Sequence, residues 1–103
     1  MKPQVHPKIA DIQLIEVLYA LGDPVRMSIV VQLRDGQEKT CNQLKIPSKH
    51  KSTLTHHFKV LREAGITHTR MQGREHFVSL RLEELAKRFP GVMDSILATV
   101  KKN

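Results

Sequence analysis

A chain of 103 residues with 40% hydrophobic composition has the size of one domain, expected to span 1–103 with a modest core and no room for a second. Its longest apolar run, Val17 to Leu21, falls far short of the roughly 20 residues a membrane span needs, and Met1-Lys2-Pro3-Gln4 lacks a signal peptide's apolar centre, so a soluble, cytoplasmic protein is expected. The formal net charge is +7, and the single cysteine, Cys41, excludes an internal disulfide and a multi-thiolate metal site.

Residues 9 to 21 carry Ile9, Ile12, Leu14, Ile15, Val17, Leu18, Tyr19 and Leu21, too many apolar positions for the narrow stripe of a surface helix. Such a helix has to be covered on two sides, and Gly22 ends it. Asp23-Pro24 reads as the N-cap and first position of a second helix, with Val25, Ile29, Val30 and Leu33 facing inward and Asp35-Gly36 closing it. A short third segment opens at Thr40, with Cys41 and Leu44 as its buried pair, and breaks at Pro47.

From about His50 to Ala64 the chain is free of glycine and proline, and Gly65 supplies a stop, which predicts a fourth helix. Steps of 100° put Leu54, His57, Phe58 and Leu61 on one side and Ser52, Thr55, His56 and Lys59 on the other. Ile66 to Met71 and Arg74 to Leu80 have strand-like content around a two-residue loop at Gln72-Gly73, giving a hairpin with a basic tip. Residues 82 to 100 read as a last helix interrupted at Pro90-Gly91, with Leu82, Leu85, Phe89, Val92, Met93, Ile96, Leu97 and Val100 as its apolar positions. The fold expected is mainly α with a β-hairpin wing, the winged helix-turn-helix plan, with a recognition helix at about 50–64 and a wing at about 66–80.

Charge is concentrated where that plan needs it. Residues 39 to 82 hold nine Lys/Arg against Glu63 and Glu75, a net +7 that equals the whole chain's, and no acidic residue lies between Lys39 and Arg62. A face of this kind suits a polyanion, because neutralised phosphates release condensed counterions. Serine and threonine are mediocre helix formers, so their clustering with His56 and Lys59 on one side calls for a reason. Short hydroxyls, an imidazole and an ammonium can reach base edges and phosphates when a helix N-terminus enters a major groove. The alternative is an ordinary solvated side, which usually pairs Glu with Lys. The expected double-stranded DNA contacts are Lys49, Lys51, Ser52, Thr53, Thr55, His56 and Lys59 on the helix, with Arg70, Gln72 and Arg74 on the hairpin.

Six histidines invite a metal hypothesis, but their spacing is poor. With the loop at Gln72-Gly73, His68 pairs with Phe77 and His76 with Thr69, so the two imidazoles take opposite faces. His56 and His57 diverge by 100° on a helix, and His57 reads as a hydrogen-bonded core histidine. Cys41 is a small buried hydrophobe or, with Lys39 and Lys45 nearby, a redox-sensitive thiol. No nucleophile–base pair, catalytic carboxylate pair or phosphate-binding glycine loop is visible, so neither an enzyme nor a cofactor is expected, and no conventional metal site.

The segments LYALGDPVRMSIVVQL (18–33), KSTLTHHFKVLREAGI (51–66), the Gly73-Arg74 pair and RFPGVMDSIL (88–97) resemble the ArsR/SmtB family of bacterial winged-helix repressors, over nearly the whole chain. The resemblance implies a homodimer joined through its first and last helices, here Ile12, Leu14, Leu18, Val92, Met93, Ile96 and Leu97. It also implies repression at a near-palindromic operator, with family DNA contacts falling on Lys51, Ser52, Thr55 and His56. Family thiolate sites use a Cys-x-Cys whose positions are Thr40 and Asn42 here, and the C-terminal helix site needs histidines that this chain lacks beside Glu83, Glu84 and Asp94. Sensing of zinc or arsenite is therefore not expected, and no inducer is specified. Two other readings remain: a redox- or metal-responsive sensor with an atypical site, its redox candidate the thiol of Cys41, and a winged-helix module whose basic face binds an acidic protein.

Overall fold

The computed structural model describes residues 5–46 and 53–100. Its helices are α1 (Leu14–Leu21), α2 (Pro24–Gln32), α3 (Leu54–Glu63), α4 (Leu82–Arg88) and α5 (Val92–Thr99). Strands β1 (Lys39–Thr40), β2 (Thr67–Gln72) and β3 (Glu75–Leu80) form an antiparallel sheet in the order β1-β3-β2. This is the winged helix-turn-helix architecture expected from the residue pattern.

The first helical segment is shorter than its apolar run suggests. A single 3-10 turn, Ile9–Asp11, is followed by extended backbone at Ile12 and Gln13 before α1 starts. The break lets Ile12 leave the helical path and fill the corner after α3: a Cβ at Gly65 would lie 2.5 Å from Ile12 Cγ1. Gly65 also has φ +87°, a left-handed conformation that glycine adopts without steric penalty. The same corner thus requires glycine twice over. Ile12 is 2% exposed, and its carbonyl accepts a 3.0 Å hydrogen bond from Arg88 Nε of α4.

Helix α2 starts as its sequence predicts. The Asp23 carboxylate accepts from the amides of Val25 and Arg26 at 2.9 and 3.0 Å, and Pro24 gives up no needed donor at the first position. Such a cap contributes about 1 kcal/mol. Val25, Ile29, Val30 and Leu33 all face the core. After α2, Gln32 grips the chain 13 residues on with both ends of its amide: its Nε2 donates to the Lys45 carbonyl at 2.9 Å and its Oε1 accepts the Lys45 amide at 2.7 Å. Between these anchors runs β1, a two-residue strand with no pattern of its own, paired Lys39↔Val78 and Thr40↔Phe77. The segment from Thr40 is a 3-10 turn, Cys41–Gln43, closed by the Thr40 amide donating to Gln43 Oε1 at 2.8 Å. Leu44 is buried as expected, but Cys41 is exposed, because a 3-10 turn of this length presents one side chain to the core and not two. Pro47 lies outside the described residues.

The hairpin corrects the predicted loop by one residue. Gln72 pairs with Glu75, His68 with Ser79 and Met71 with His76, so the loop is Gly73-Arg74. Gly73 has φ +62° and no non-glycine residue among the described ones has positive φ, which places the glycine first in the turn, the arrangement of a type II′ hairpin. Each partner moves by two positions, an even step that leaves every side chain on its predicted face. Beyond β3, α4 and α5 are separated at Pro90-Gly91, where Gly91 has φ +79°. The core lies between α1, α2, α3 and the inner face of the sheet, with Val17, Ile29, Leu33, Leu61, Ile66 and Leu85 fully buried. Each contributes about 1.5–3 kcal/mol of hydrophobic stabilisation, less the ordering entropy.

Candidate nucleic-acid interface

Helix α3 separates its two sides as the 100° projection predicts. Leu61 and His57 are buried and Leu54 and Phe58 half-buried, while Thr55, His56 and Lys59 project outward, exposed, with Thr53 exposed at the start. Of the other helix contacts expected from sequence, Lys49, Lys51 and Ser52 lie outside the described residues.

The helix is oriented by a buried polar arrangement as well as by its apolar ridge. Arg26 of α2 is 7% exposed; its Nε donates to the Ala20 carbonyl at 2.7 Å and its Nη1 to His57 Nδ1 at 3.2 Å. A guanidinium has no acceptor to offer, so His57 Nδ1 carries no proton in this bond and the ring's proton sits on Nε2. Asp23 Oδ2 lies 3.9 Å from the same Nδ1. Desolvation works upward on the Asp23 carboxyl, but the hydrogen bonds from the Arg26 and Val25 amides, with the nearby Arg26 charge, outweigh it, holding the group below the usual carboxylate range. The histidine is hydrogen-bonded inside the core, as expected, and it ties α3 to the junction of α1 and α2.

The hairpin presents its cations differently. Arg70 Nη2 donates to Glu38 Oε1 at 2.6 Å and Nε to Oε2 at 3.2 Å, while Nη1 donates to Gln72 Oε1 at 2.8 Å. The guanidinium also sits 4.5 Å from the Phe77 ring centroid. Two expected DNA contacts, Arg70 and Gln72, are therefore engaged with each other and with Glu38. The hydrogen bond from Arg70 holds the Glu38 carboxyl below its ordinary range. Sequence reasoning missed Glu38 altogether; its partner is 32 residues away and no local pattern marks it. Arg74, in the loop, is exposed and makes none of the ion pairs among the described residues.

The N-terminal segment lies along β2. His6 Nε2 accepts the Thr69 amide at 2.9 Å, and its ring stacks on His68 at 4.3 Å between centroids and 17° between planes. Arg81 fastens the same segment, donating to the Pro7 carbonyl at 2.9 Å while pairing with Glu84 at 2.8 Å. Burial pushes the His6 pKa down, and the charges of His68, Arg81 and Arg62 push the same way. His68 and His76 do take opposite faces of the hairpin, and the described residues contain no group of three or more His, Cys, Asp or Glu that could hold a metal. Desolvation raises the Cys41 thiol pKa, the reverse of what an activated thiolate needs.

Of the positions expected to join subunits, Leu14 and Leu18 are 41% and 44% exposed, and beside them on α1 Ile15 and Tyr19 are 74% and 68% exposed. Val92, Ile96 and Leu97 of α5 are half-buried; Ile12 and Met93 are buried within the subunit. No helix among the described residues is long and apolar enough to cross a membrane.

Residues 21–70, from the end of α1 into β2, match the helix-turn-helix domain family. The chain is 35% identical over 83 residues to an uncharacterized HTH-type transcriptional regulator, YceK, of Bacillus subtilis (strain 168), covering 79% of this chain and 83% of that protein. It belongs to the helix-turn-helix transcriptional regulators. A second relative, the uncharacterized HTH-type transcriptional regulator MJ1325 of Methanocaldococcus jannaschii, is 33% identical over 76 residues, covering 70% of this chain and 85% of its own length. As a helix-turn-helix regulator the protein binds DNA.

Proposed function

We propose that this regulator is a homodimeric repressor of the ArsR/SmtB type that reads a near-palindromic operator, each subunit a single winged domain acting in the cytoplasm. The observation that carries the reading is the outward side of α3: Thr55, His56 and Lys59 stand exposed, with no acidic residue before Glu63, on a helix anchored behind by Leu61 and His57. Thr55 and His56 are the right length for base edges, and Lys59 and the Arg74 tip for phosphates. The exposed apolar row Leu14, Ile15, Leu18 and Tyr19 supports a second subunit against α1, since side chains of this size lose favourable burial when left in water. A two-fold dimer places two copies of α3 on half-sites about one helical turn apart, or a multiple of it.

Selection of DNA fragments from a random pool by the purified protein tests this directly. Enrichment of a two-fold symmetric sequence is the expected result. A pool that stays random while binding falls steeply with salt would leave only non-specific binding, and a reporter that is silenced in the regulator's absence would reverse the sign from repressor to activator.

A further inference from the structure

Between α3 and the inner face of the hairpin lies a cleft of about 480 Å³. Its floor is apolar, made by Leu54, Phe58 and Val78, and its polar rim carries Lys59, Arg62 and His76, with no carboxylate among the described lining residues. A volume of this size is that of small-molecule sites. Arg62 is the unusual member. It is half-buried, takes part in none of the described ion pairs, and its Nε is closed off from solvent with no hydrogen-bond partner. The other part-buried or buried arginines of the structure are satisfied: Arg26 by carbonyls and His57, Arg70 and Arg81 by carboxylates. The buried Nε is out of a ligand's reach, but Nη1 and Nη2 have none of the described hydrogen bonds and are not closed off, so they are the donors that the cleft can offer an acceptor.

We propose that this cleft binds a small monocarboxylate with an apolar body, its carboxylate paired with the Arg62 guanidinium and its chain or ring lying on Phe58, Val78 and Leu54. A guanidinium fork matches a carboxylate in two parallel hydrogen bonds, and the absence of any acid among the described lining residues leaves the anion unopposed there. The apolar floor separates such a ligand from inorganic phosphate, which has no surface to place there. The site has a consequence for regulation that rests on the operator reading above. Thr55 and Lys59 line the cleft and are also expected DNA contacts, so a bound acid neutralises part of the groove-facing charge and fixes the wing relative to α3. Ligand and operator then oppose one another.

Titration calorimetry of the 103-residue chain without DNA tests the binding step on its own. The probes are hexanoate, benzoate, hexanol and inorganic phosphate, with methyl NMR of Leu54 and Val78 to locate the ligand. The expected result is binding of both carboxylates with Kd about millimolar or tighter, shifts of the Leu54 and Val78 methyls, no binding of hexanol, and a loss of about tenfold or more in Arg62→Gln. A second variant, His76→Trp, places a bulky ring at the exposed mouth and is expected to weaken hexanoate without touching Arg62. Phosphate binding as well as hexanoate would make the site a seat for DNA phosphate. Hexanol binding as well as hexanoate would make it an apolar slot indifferent to charge. No binding, or unchanged affinity in Arg62→Gln, overturns the proposal too. With the ligand step established, hexanoate should weaken operator binding in the wild type. Failure to find any operator counts against the repressor reading and leaves the calorimetry standing.

Discussion

The basic surface has two parts that the linear sequence makes look alike and the fold makes different. On α3, Thr55, His56 and Lys59 are exposed, and the helix behind them is fixed by Leu61 and by the Arg26–His57 hydrogen bond. On the hairpin, Arg70 and Gln72 are held by each other and by Glu38, which leaves Arg74 as the cation at the tip outside any described ion pair. A count of cations treats these regions as equivalent. What distinguishes them is whether an acidic residue distant in sequence arrives beside the cation, and that depends on β1 delivering Glu38 to the sheet.

Several substitutions break or sharpen this contrast. The largest effect is expected where α3 meets the core: Leu61→Ala should cost about 2–5 kcal/mol in urea unfolding, by lost burial plus the cavity left behind. A variant that unfolds like the wild type would mean that α3 is held mainly by polar contacts. Next is His57→Leu, which leaves Arg26 Nη1 facing a methyl group inside the protein and should destabilise by about 1–3 kcal/mol. Here the check is denaturation beside His57→Gln, whose amide oxygen can take the acceptor's place and should recover part of the loss.

On DNA, His56→Ala should weaken operator binding by about 1–3 kcal/mol with little effect on random duplex, whereas Arg74→Ala should weaken both alike and reduce the salt slope by about 1. Fluorescence anisotropy on the two duplexes decides it: equal losses from both variants would erase the division of labour between helix and wing. Glu38→Gln is expected to release Arg70 to a phosphate, steepening the salt dependence by about 0.9 per subunit with little change in the unfolding midpoint, since exposed ion pairs contribute little to stability. An unchanged slope would show that Phe77 and Gln72 hold the guanidinium without its carboxylate. The smallest effect concerns pH. Burial lowers the His6 pKa in the folded state, so its bond to the Thr69 amide is complete above the ordinary histidine value of about 6.5 and is lost as pH falls through the folded value. Protection of the Thr69 amide, taken against the intrinsic exchange rate at each pH, should therefore fall on acidification in the wild type and show no such step in His6→Phe.

Much of this was legible wherever the cause is local. The Asp23-Pro24 start of α2, the stop at Gly65, the two sides of α3 and the break at Pro90-Gly91 each follow from a few neighbouring residues. The hairpin's faces were legible too, although the choice between glycine first and glycine second in the turn was not, because both conformations accept it. Distant partners were invisible. Ile12 leaves its helix for a space beside Gly65, β1 exists because β3 offers it an edge, Cys41 faces outward because its turn is too short, and Arg70 is claimed by Glu38.

The seat of Ile12 has a mechanical corollary. Because the α-carbon of Gly65 is bare, the isoleucine rests against the pivot from which the hairpin springs, and the residue that follows Ile12 already begins the approach to α1. A side chain at position 65 would therefore have to displace Ile12, and with it the strand of chain that leads into α1.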